Sequence, residues 1–570
     1  MIPNDDPKLK EQLAKIWQQS QERITQKKAS DQRIPYLDLK TAPIQLSAFK
    51  LISKERAEKI EALVIEHKGQ RLAVAAKNPA SKEVIELVSE FKRKEMQVAL
   101  FEISQDSLVY GLSLYAKIPR EIGGINTRVD ISPEKVLELE QELTTLSKVH
   151  DALAELLAGE TQTGEFLNVV LAGGLTNRAS DIHFETADGG SARLRFRIDG
   201  SLETVIDPIP KDVYKLVLLR IKLLANLRLN ADTIAQDGAF AFKLGDLEIE
   251  LRVAIAPSEF GEAIVMRILD PRSIQITLDK LGIREDDLQI IKEELRAPNG
   301  MILNTGPTGS GKTTTLYAFL RTLATADTKI ITIEDPIEYH VAGIEQTQTN
   351  EKSGYSFAGG LRSMMRQDPD IILVGEIRDK DTVDTALQAA LTGHLVFSTL
   401  HTNSSAGVIP RLLNLGASPV SIGPALNLVI AQRLVRKLCD NCKVAVPIEE
   451  ALRVKTETFL SHLPPRVDVT PYKQASVIFK VGGADGKIGC EKCHNSGYKG
   501  RCGIYELMRI DEAFEPMINN TAGEGEIEKF SREHGMVLLQ EDGILRVLAG
   551  ITSFEEVEGV TGPISWTTSS

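Results

Sequence analysis

Eight consecutive residues, Gly306-Pro307-Thr308-Gly309-Ser310-Gly311-Lys312-Thr313, fit the pattern G-x-x-x-x-G-K-[ST]. Glycines at such spacing let the backbone curl until successive N–H groups face inward onto phosphate oxygens. A helical segment from Thr313 through Leu320 would add the positive end of its dipole. In such a loop the lysine, here Lys312, reaches the β- and γ-phosphates, and the hydroxyl, here Thr313, ligates Mg²⁺. A strand-like run, Met301-Ile302-Leu303, enters the loop. A chance glycine-rich turn would have neither that strand nor that helix. The octapeptide implies that the chain binds a nucleoside triphosphate such as ATP.

Three further apolar runs end in polar residues, as strands of a parallel sheet do when they deliver side chains to a site at their carboxyl ends. Lys329-Ile330-Ile331-Thr332-Ile333 delivers Glu334-Asp335, with Glu338 nearby. Ile371-Ile372-Leu373-Val374 delivers Gly375-Glu376. Leu395-Val396-Phe397-Ser398-Thr399 delivers His401, with His394 just before the strand. Hydrolysis of a γ-phosphate needs Mg²⁺, a group that positions or deprotonates water, and cationic charge for the transition state. Glu376 stands where an acid would hold Mg²⁺ through water or polarise the attacking water. Glu334 is the other candidate base, and the sequence leaves the choice between them open. His401 is either a member of this site or a histidine satisfied within the core.

Cys439-x-x-Cys442 and Cys490-x-x-Cys493 set four of the five cysteines in two pairs separated by 47 residues. Two such pairs can supply four thiolates to one tetrahedral Zn²⁺. Unpaired buried thiols, or a redox disulfide in a reducing compartment, are the competing readings. A zinc of this kind is structural, because four thiolates leave no open coordination position. It would let a small, loop-rich insert fold without much core of its own. Cys502 stands outside the pattern and reads as packing.

These groups must be positioned by several domains, since 570 residues exceed one hydrophobic core and suggest roughly three to five. The chain is 42% apolar and 26% charged, ordinary for globular protein, and its net charge of −12 argues against a non-specific nucleic-acid binder. No apolar run approaches the roughly 20 residues of a membrane helix, and Met1-Ile2-Pro3-Asn4-Asp5-Asp6 is no signal peptide. A cytoplasmic location is expected. Five cysteines exclude a disulfide scaffold. Residues 1–30 carry an amphipathic segment, opened by Asp6-Pro7, with Leu9, Leu13, Ile16, Trp17 and Ile24 at near-helical spacing. An α/β domain follows over 31–117, with a strand at Leu72 to Ala75 and a helix over Glu83 to Phe91. Residues 118–160 form a linker in which Ser132-Pro133 opens a connector helix carrying Val136, Leu139, Leu143, Leu146, Leu153 and Leu156, stopped at Gly159. A second α/β domain spans 161–275, with strand-like Arg193 to Ile198, a turn at Asp199-Gly200, and a helix over Val213 to Leu227. The nucleotide core runs over 276–438, the cysteine-bearing insert over 439–505, and a helical segment over 506–570.

Three blocks resemble the secretion-ATPase family of type II secretion and type IV pilus assembly. Leu361-Arg362-Ser363-Met364-Met365-Arg366-Gln367-Asp368-Pro369-Asp370 leads into Ile371 to Asp379; Ile333 to Tyr339 is similar to that family's Asp box, and Leu391 to Asn403 to its His box. Ala179 to Glu185 and Arg195 to Gly200 resemble its second N-terminal domain, so the likeness covers about 161–560. It implies a RecA-like P-loop ATPase core with a parallel sheet, preceded by two smaller α/β domains and followed by a zinc insert and a helical part. It also implies a homohexameric motor in which the 161–275 domain of one subunit meets the core of its neighbour. The implied partners are an inner-membrane platform protein and a cytoplasmic docking protein, with membrane attachment only through them.

One stretch departs from the family, which reads Arg-Arg-x-Pro-Gln-Asp-Gly-Arg where this chain has Asp232-Thr233-Ile234-Ala235-Gln236-Asp237-Gly238-Ala239. The Gln-Asp-Gly turn is kept and three basic residues are not. The charge they supply would then fall on Arg195, Arg197, Arg252 or Arg267, or these arginines pair with nearby acids. Residues 1–50 contain no Arg-Leu-Gly motif of the kind with which some members bind a cyclic dinucleotide, so that ligand is not expected. Retraction-type members usually lack the first domain and the insert, which favours the assembly type. A DNA-translocating relative, and a scaffold that uses ATP only to switch shape, are the remaining alternatives.

Overall fold

The computed structural model describes residues 22, 25–31, 34–42, 44–68, 71–94, 96–115, 128–130, 139, 142–159, 163–244, 247–274, 276–350, 353–483 and 488–566. The amphipathic positions Leu9 to Trp17, and the helix opening at Ser132-Pro133, lie outside these. Two compact units are present, Met1–Leu269 and Asp270–Ser570. Among the described residues no helix is long and apolar enough to cross a membrane.

The first unit opens with a three-stranded sheet: β1 (Ala62–Lys68) antiparallel to β2 (Arg71–Ala76), and β2 parallel to β3 (Gln97–Glu102). The parallel step is made by α1 (Lys82–Arg93), whose Ser81 cap accepts from Val84 N at 3.3 Å and which buries Val84, Leu87 and Phe91 along one stripe. α2 (Gln105–Leu114) completes this part.

A seven-stranded sheet follows, in the order β4-β8-β9-β10-β5-β6-β7. Its elements in chain order are β4 (Arg128–Asp130), α3 (Leu146–Ala158), α4 (Thr163–Thr176), β5 (Ala179–Thr186), β6 (Ala192–Ile198), β7 (Ser201–Ile209), α5 (Lys211–Leu224), β8 (Gln236–Leu244), β9 (Leu247–Ser258) and β10 (Gly261–Leu269). Of the expected connector helix, the described part includes α3. α3 begins at Leu146, capped by Thr145, and its Val149 and Leu153 are fully buried in this domain's core. A Cβ on Gly173 of α4 would lie 2.8 Å from Val149 Cγ1, so the two helices pack backbone to side chain. The Gln-Asp-Gly turn is a correction: Gln236 to Gly238 begin strand β8. The turn lies just before them, held by the Gln236 amide, which bonds Arg228 N at 2.8 Å, Arg228 O at 3.0 Å and Ala231 O at 3.0 Å. Gly238 is needed because a Cβ there would sit 2.5 Å from Ala225 O.

The second unit is built on a sheet of order β13-β12-β14-β15-β11-β16-β19. After α6 (Glu285–Glu294) come β11 (Gly300–Thr305), α7 (Lys312–Leu323), β12 (Ile330–Glu334), β13 (Glu345–Gln348), α8 (Phe357–Met364), β14 (Ile371–Val374), α9 (Lys380–Leu391), β15 (Leu395–Leu400) and β16 (Leu426–Leu438). These strands all pair in parallel, and β11, β12, β14 and β15 are buried along their whole length, as a sheet covered on both faces requires. Then follow β17 (Val444–Pro447), α10 (Glu450–His462), β18 (Val477–Lys480) and β19 (Tyr498–Arg509), the last antiparallel to β16. The segment expected as an insert over 439–505 is therefore shorter, since from Tyr498 the chain is already back in the central sheet. It also has more core than a loop-rich knuckle: Phe459, Leu460 and Ile478 bury against Ile544, Leu545 and Leu548. Those last three lie on α12 (Leu539–Leu548), which follows α11 (Glu524–Glu533) and precedes α13 (Phe554–Thr561).

Candidate active site

The carboxyl ends of β11, β12, β14 and β15 converge, and each delivers one of the residues singled out from the sequence. β11 runs into the phosphate loop and α7 leaves it. Gly306 adopts φ +151° and Gly311 φ +91°. A Cβ on Gly306 would lie 2.6 Å from Gln432 O, and one on Gly311 would lie 2.8 Å from Gln432 Nε2, so the loop closes against β16 only with glycine at both positions. Lys312 arches back over the loop, its Nζ donating to Gly306 O at 2.8 Å and Pro307 O at 3.1 Å. Burial lowers the Lys312 pKa; Glu376 raises it and Arg433 lowers it further, so both charges act on the ammonium. The Ser310 hydroxyl is buried without a hydrogen-bond partner, and Thr313 is exposed on the first turn of α7. Such a cradle, with an orphaned hydroxyl and a positive helix end, fits a phosphate chain.

Glu376, one residue past Gly375 at the end of β14, has a largely buried carboxylate that pairs with Arg378 and lies 3.7 Å from His401 Nε2. His401 is 53% exposed, so it is no core histidine. Arg378 also reaches Asp335 at 3.5 Å, tying the ends of β12 and β14 together. Glu334 differs in kind. It is 4% exposed and accepts hydrogen bonds from Tyr317 Oη, from Thr332 Oγ1 at 2.6 Å and from Gln346 Nε2 at 3.1 Å. His394 is turned away, its Nδ1–H donating to Ala389 O at 3.0 Å at the end of α9.

The four paired cysteines also meet. Cys439 follows the last residue of β16, and Cys493 lies just ahead of β19; the pairing of Leu438 with Tyr498 brings the two knuckles together. All four sulfurs lie within 4.8 Å of one another, with Cys439–Cys490 at 3.9 Å and Cys442–Cys493 and Cys490–Cys493 at 3.8 Å. A tetrahedron with metal–sulfur bonds of about 2.3 Å has edges of about 3.8 Å. N–H groups of Cys490 and Gly497 reach the Cys493 sulfur at 3.1 and 3.3 Å, and Asn441 Nδ2 reaches that of Cys490 at 3.3 Å. Burial raises the Cys490 pKa, but hydrogen bonds from Asn441, the Cys493 thiol and the backbone N–H groups of Cys493 and Lys492 outweigh it and bring the thiol down to about 7. Cys502 is separate: it faces Val435 in the sheet, and burial raises it to about 11.

A model of the type II/IV secretion system protein family matches residues 157–559, and a model of the MshEN domain matches 32–108. The chain belongs to the type II/IV secretion system protein family. Type II secretion system protein E of Pseudomonas aeruginosa is 43% identical over 69% of this chain and 74% of its own length. The type IV pilus assembly ATPase PilB of Myxococcus xanthus is 34% identical over 93% of this chain and 89% of its own. Among solved structures, the ATPase DotB of Yersinia pseudotuberculosis has a similar fold, with TM-score 0.50 at 19% identity over 70% of this chain and 93% of that one.

In this secretion-family chain the four candidate arginines lie in the first unit, on one sheet. β6 alternates so that Leu194, Phe196 and Ile198 enter the core while Arg193, Arg195 and Arg197 face the other way. Arg195 pairs with Glu185; Arg197 lies 3.7 Å from Asp181 and donates to Gly200 O at 3.0 Å; Arg267 Nε reaches Asp181 at 3.0 Å. Arg252 on β9 stands opposite Arg267 on one side and Ala239 on the other. Ala239 is thus flanked by an arginine of the next strand.

Two residues beside the phosphate loop escape the sequence reading, Gln432 and Arg433. Gln432 Oε1 accepts from Asn304 Nδ2 at 3.1 Å and Thr315 Oγ1 at 2.9 Å, bracing β11 and α7 from behind. The available signal is a polar pair inside the apolar run Leu426 to Leu438. Tyr317 and Gln346, which hold Glu334, carry no such signal.

Proposed function

We propose that this chain is an ATP-hydrolysing motor that powers assembly of a type IV pilus or a type II secretion pseudopilus. The observation that carries the reading is the meeting of Lys312, Glu376 and His401 at the carboxyl ends of adjacent parallel strands, in a chain similar along most of its length to an assembly ATPase. Lys312 neutralises the terminal phosphates. Thr313 and Glu376 would hold Mg²⁺, which supplies further positive charge where the phosphoryl group transfers. Glu376, partly open to solvent, has the cationic neighbours of a residue at the phosphates. Glu334 is committed to three donors, so its role is to hold or polarise water from a fixed position. Glu376→Gln is expected to bind ATP and hydrolyse it poorly, about 10²-fold or more below wild type. If Glu334→Gln alone gives that phenotype in phosphate-release and nucleotide-binding assays, the two assignments exchange.

The tetrathiolate edge lengths support a structural Zn²⁺ held by Cys439, Cys442, Cys490 and Cys493. The working state is a cytoplasmic homohexamer that reaches the inner membrane through a platform protein and a cytoplasmic docking protein. In that ring at least one of Arg195, Arg197, Arg252 and Arg267 completes the active site of a neighbouring subunit, a contact that contributes roughly 10³-fold or more in comparable phosphoryl-transfer sites. Mixing Arg252→Ala or Arg195→Ala subunits into wild-type protein should depress activity more than dilution does. Normal hydrolysis by all four alanine variants would reduce this domain to a spacer.

A further inference from the structure

β16 overruns β11. Thr305, the last residue of β11, pairs with Ala431, so Gln432 and Arg433 continue beside the start of the phosphate loop. The Arg433 guanidinium spans two loops there. Its Nη1 donates to Gln432 O at 3.0 Å and would lie 3.0 Å from a Cβ on Gly306. Its Nη2 donates to Asn403 O at 3.0 Å and Asn403 Oδ1 at 3.3 Å, in the segment that carries His401. The side chain is half-buried, and the hydrogen bonds its guanidinium makes among the described residues go to carbonyl oxygens and to no carboxylate. The acid whose field it feels, Glu506, is committed elsewhere, accepting from Ser405 N at 2.7 Å, Ser405 Oγ at 2.6 Å and Leu539 N at 3.1 Å. Its charge instead acts on Lys312, a like charge. Two cations brought together at a partly desolvated site, beside one acid shared with Arg378 and His401, call for a polyanion.

We propose that Arg433 is a second phosphate-binding cation, supplied by the same chain as Lys312, which contacts the terminal phosphate of bound ATP. Position selects the terminal phosphate. The N-terminus of α7 holds the inner phosphates, while the Lys312 side chain runs back to Gly306 and Pro307 and carries its charge to the start of the loop. Arg433 adjoins that start. Its planar fork keeps donors to spare after the three contacts above, enough to meet a phosphate oxygen without leaving Asn403. The charge it brings is intrasubunit, so it is distinct from any arginine reaching across the ring.

This assignment rests on the ATPase reading, and the test separates the two. Full-length wild type and Arg433→Ala, Arg433→Lys and Arg433→Gln variants would be compared for affinity toward ADP and toward a non-hydrolysable ATP analogue, and for steady-state phosphate release. Arg433→Ala should weaken the analogue at least about tenfold, change ADP affinity less than about twofold, and slow turnover about 10²-fold. Arg433→Lys should recover part of each loss. Arg433→Gln, which can still bond Asn403 but carries no charge, should behave as alanine does. If Arg433→Ala does not fold, the lysine and glutamine variants decide by the same comparison. Equal losses for ADP and the analogue, or a glutamine variant equal to wild type, would overturn the proposal and leave Arg433 as a brace between loops. A wild type that binds the analogue but releases no phosphate would defeat the ATPase reading alone, since the affinity comparison still reports on Arg433.

Discussion

Lys312→Ala should fold as wild type does and lose nearly all ATPase activity, by at least about 10²–10³-fold. The side chain's polar contacts are with Gly306 O and Pro307 O, at a loop open enough for water to replace them, so stability should change little. Within the phosphate loop no other residue carries a positive charge. Glu376 would then face the phosphates without the nearby ammonium that offsets it. Nucleotide affinity and phosphate release, with thermal melting as the folding control, check this. Turnover within a factor of two of wild type would remove the phosphate-loop assignment.

Loss of the metal should have an equally large effect, but on folding. Purified protein prepared without chelator is expected to carry close to one zinc per chain, and Cys439→Ser to lose it. Cys439 sits directly after β16 and the other pair directly before β19, so the metal closes a loop of about 47 residues at the edge of the central sheet. Zinc bound by four thiolates contributes apparent free energies of about 10–16 kcal/mol in small zinc domains. Without it the four cysteine sulfurs crowd within 4.8 Å with nothing to hold them together. Aggregation on expression is expected more than a clean kinetic defect, because α12 packs its Ile544, Leu545 and Leu548 on this segment. Elemental analysis finding no zinc in wild type, or Cys439→Ser with unchanged metal content and melting temperature, would contradict the assignment.

What could be read from the sequence follows the chain's own contiguity. The phosphate loop is legible because all eight residues are consecutive and need only local backbone geometry. Glu334, Glu376 and His401 are legible because each ends an apolar run that could only be a buried parallel strand. The cysteines declare themselves by spacing, yet the hairpin of β16 and β19 that joins them does not, since it depends on pairing across some 60 residues. Arg433 is hidden for the same reason: its role comes from β16 extending past β11, a matter of register in space. For the helix at Leu146, threes and fours mark an apolar stripe without saying which core it enters; Val149 meets Gly173, and nothing in either residue's neighbours foretells that. Gln-Asp-Gly reads as a turn by composition, while the actual bend is made by the Gln236 amide gripping Arg228 and Ala231. In each case the missing information is a long-range contact that overrides local preference.

Steady-state phosphate release by purified wild-type protein, followed as a function of protein concentration, tests the central claim most directly. A ring motor should turn over ATP many times per chain, with activity per chain rising steeply as subunits associate and falling on dilution. Binding of ATP without sustained release at any concentration would show a nucleotide-switched scaffold, and equal activity per chain from a dilute monomer would contradict the ring mechanism.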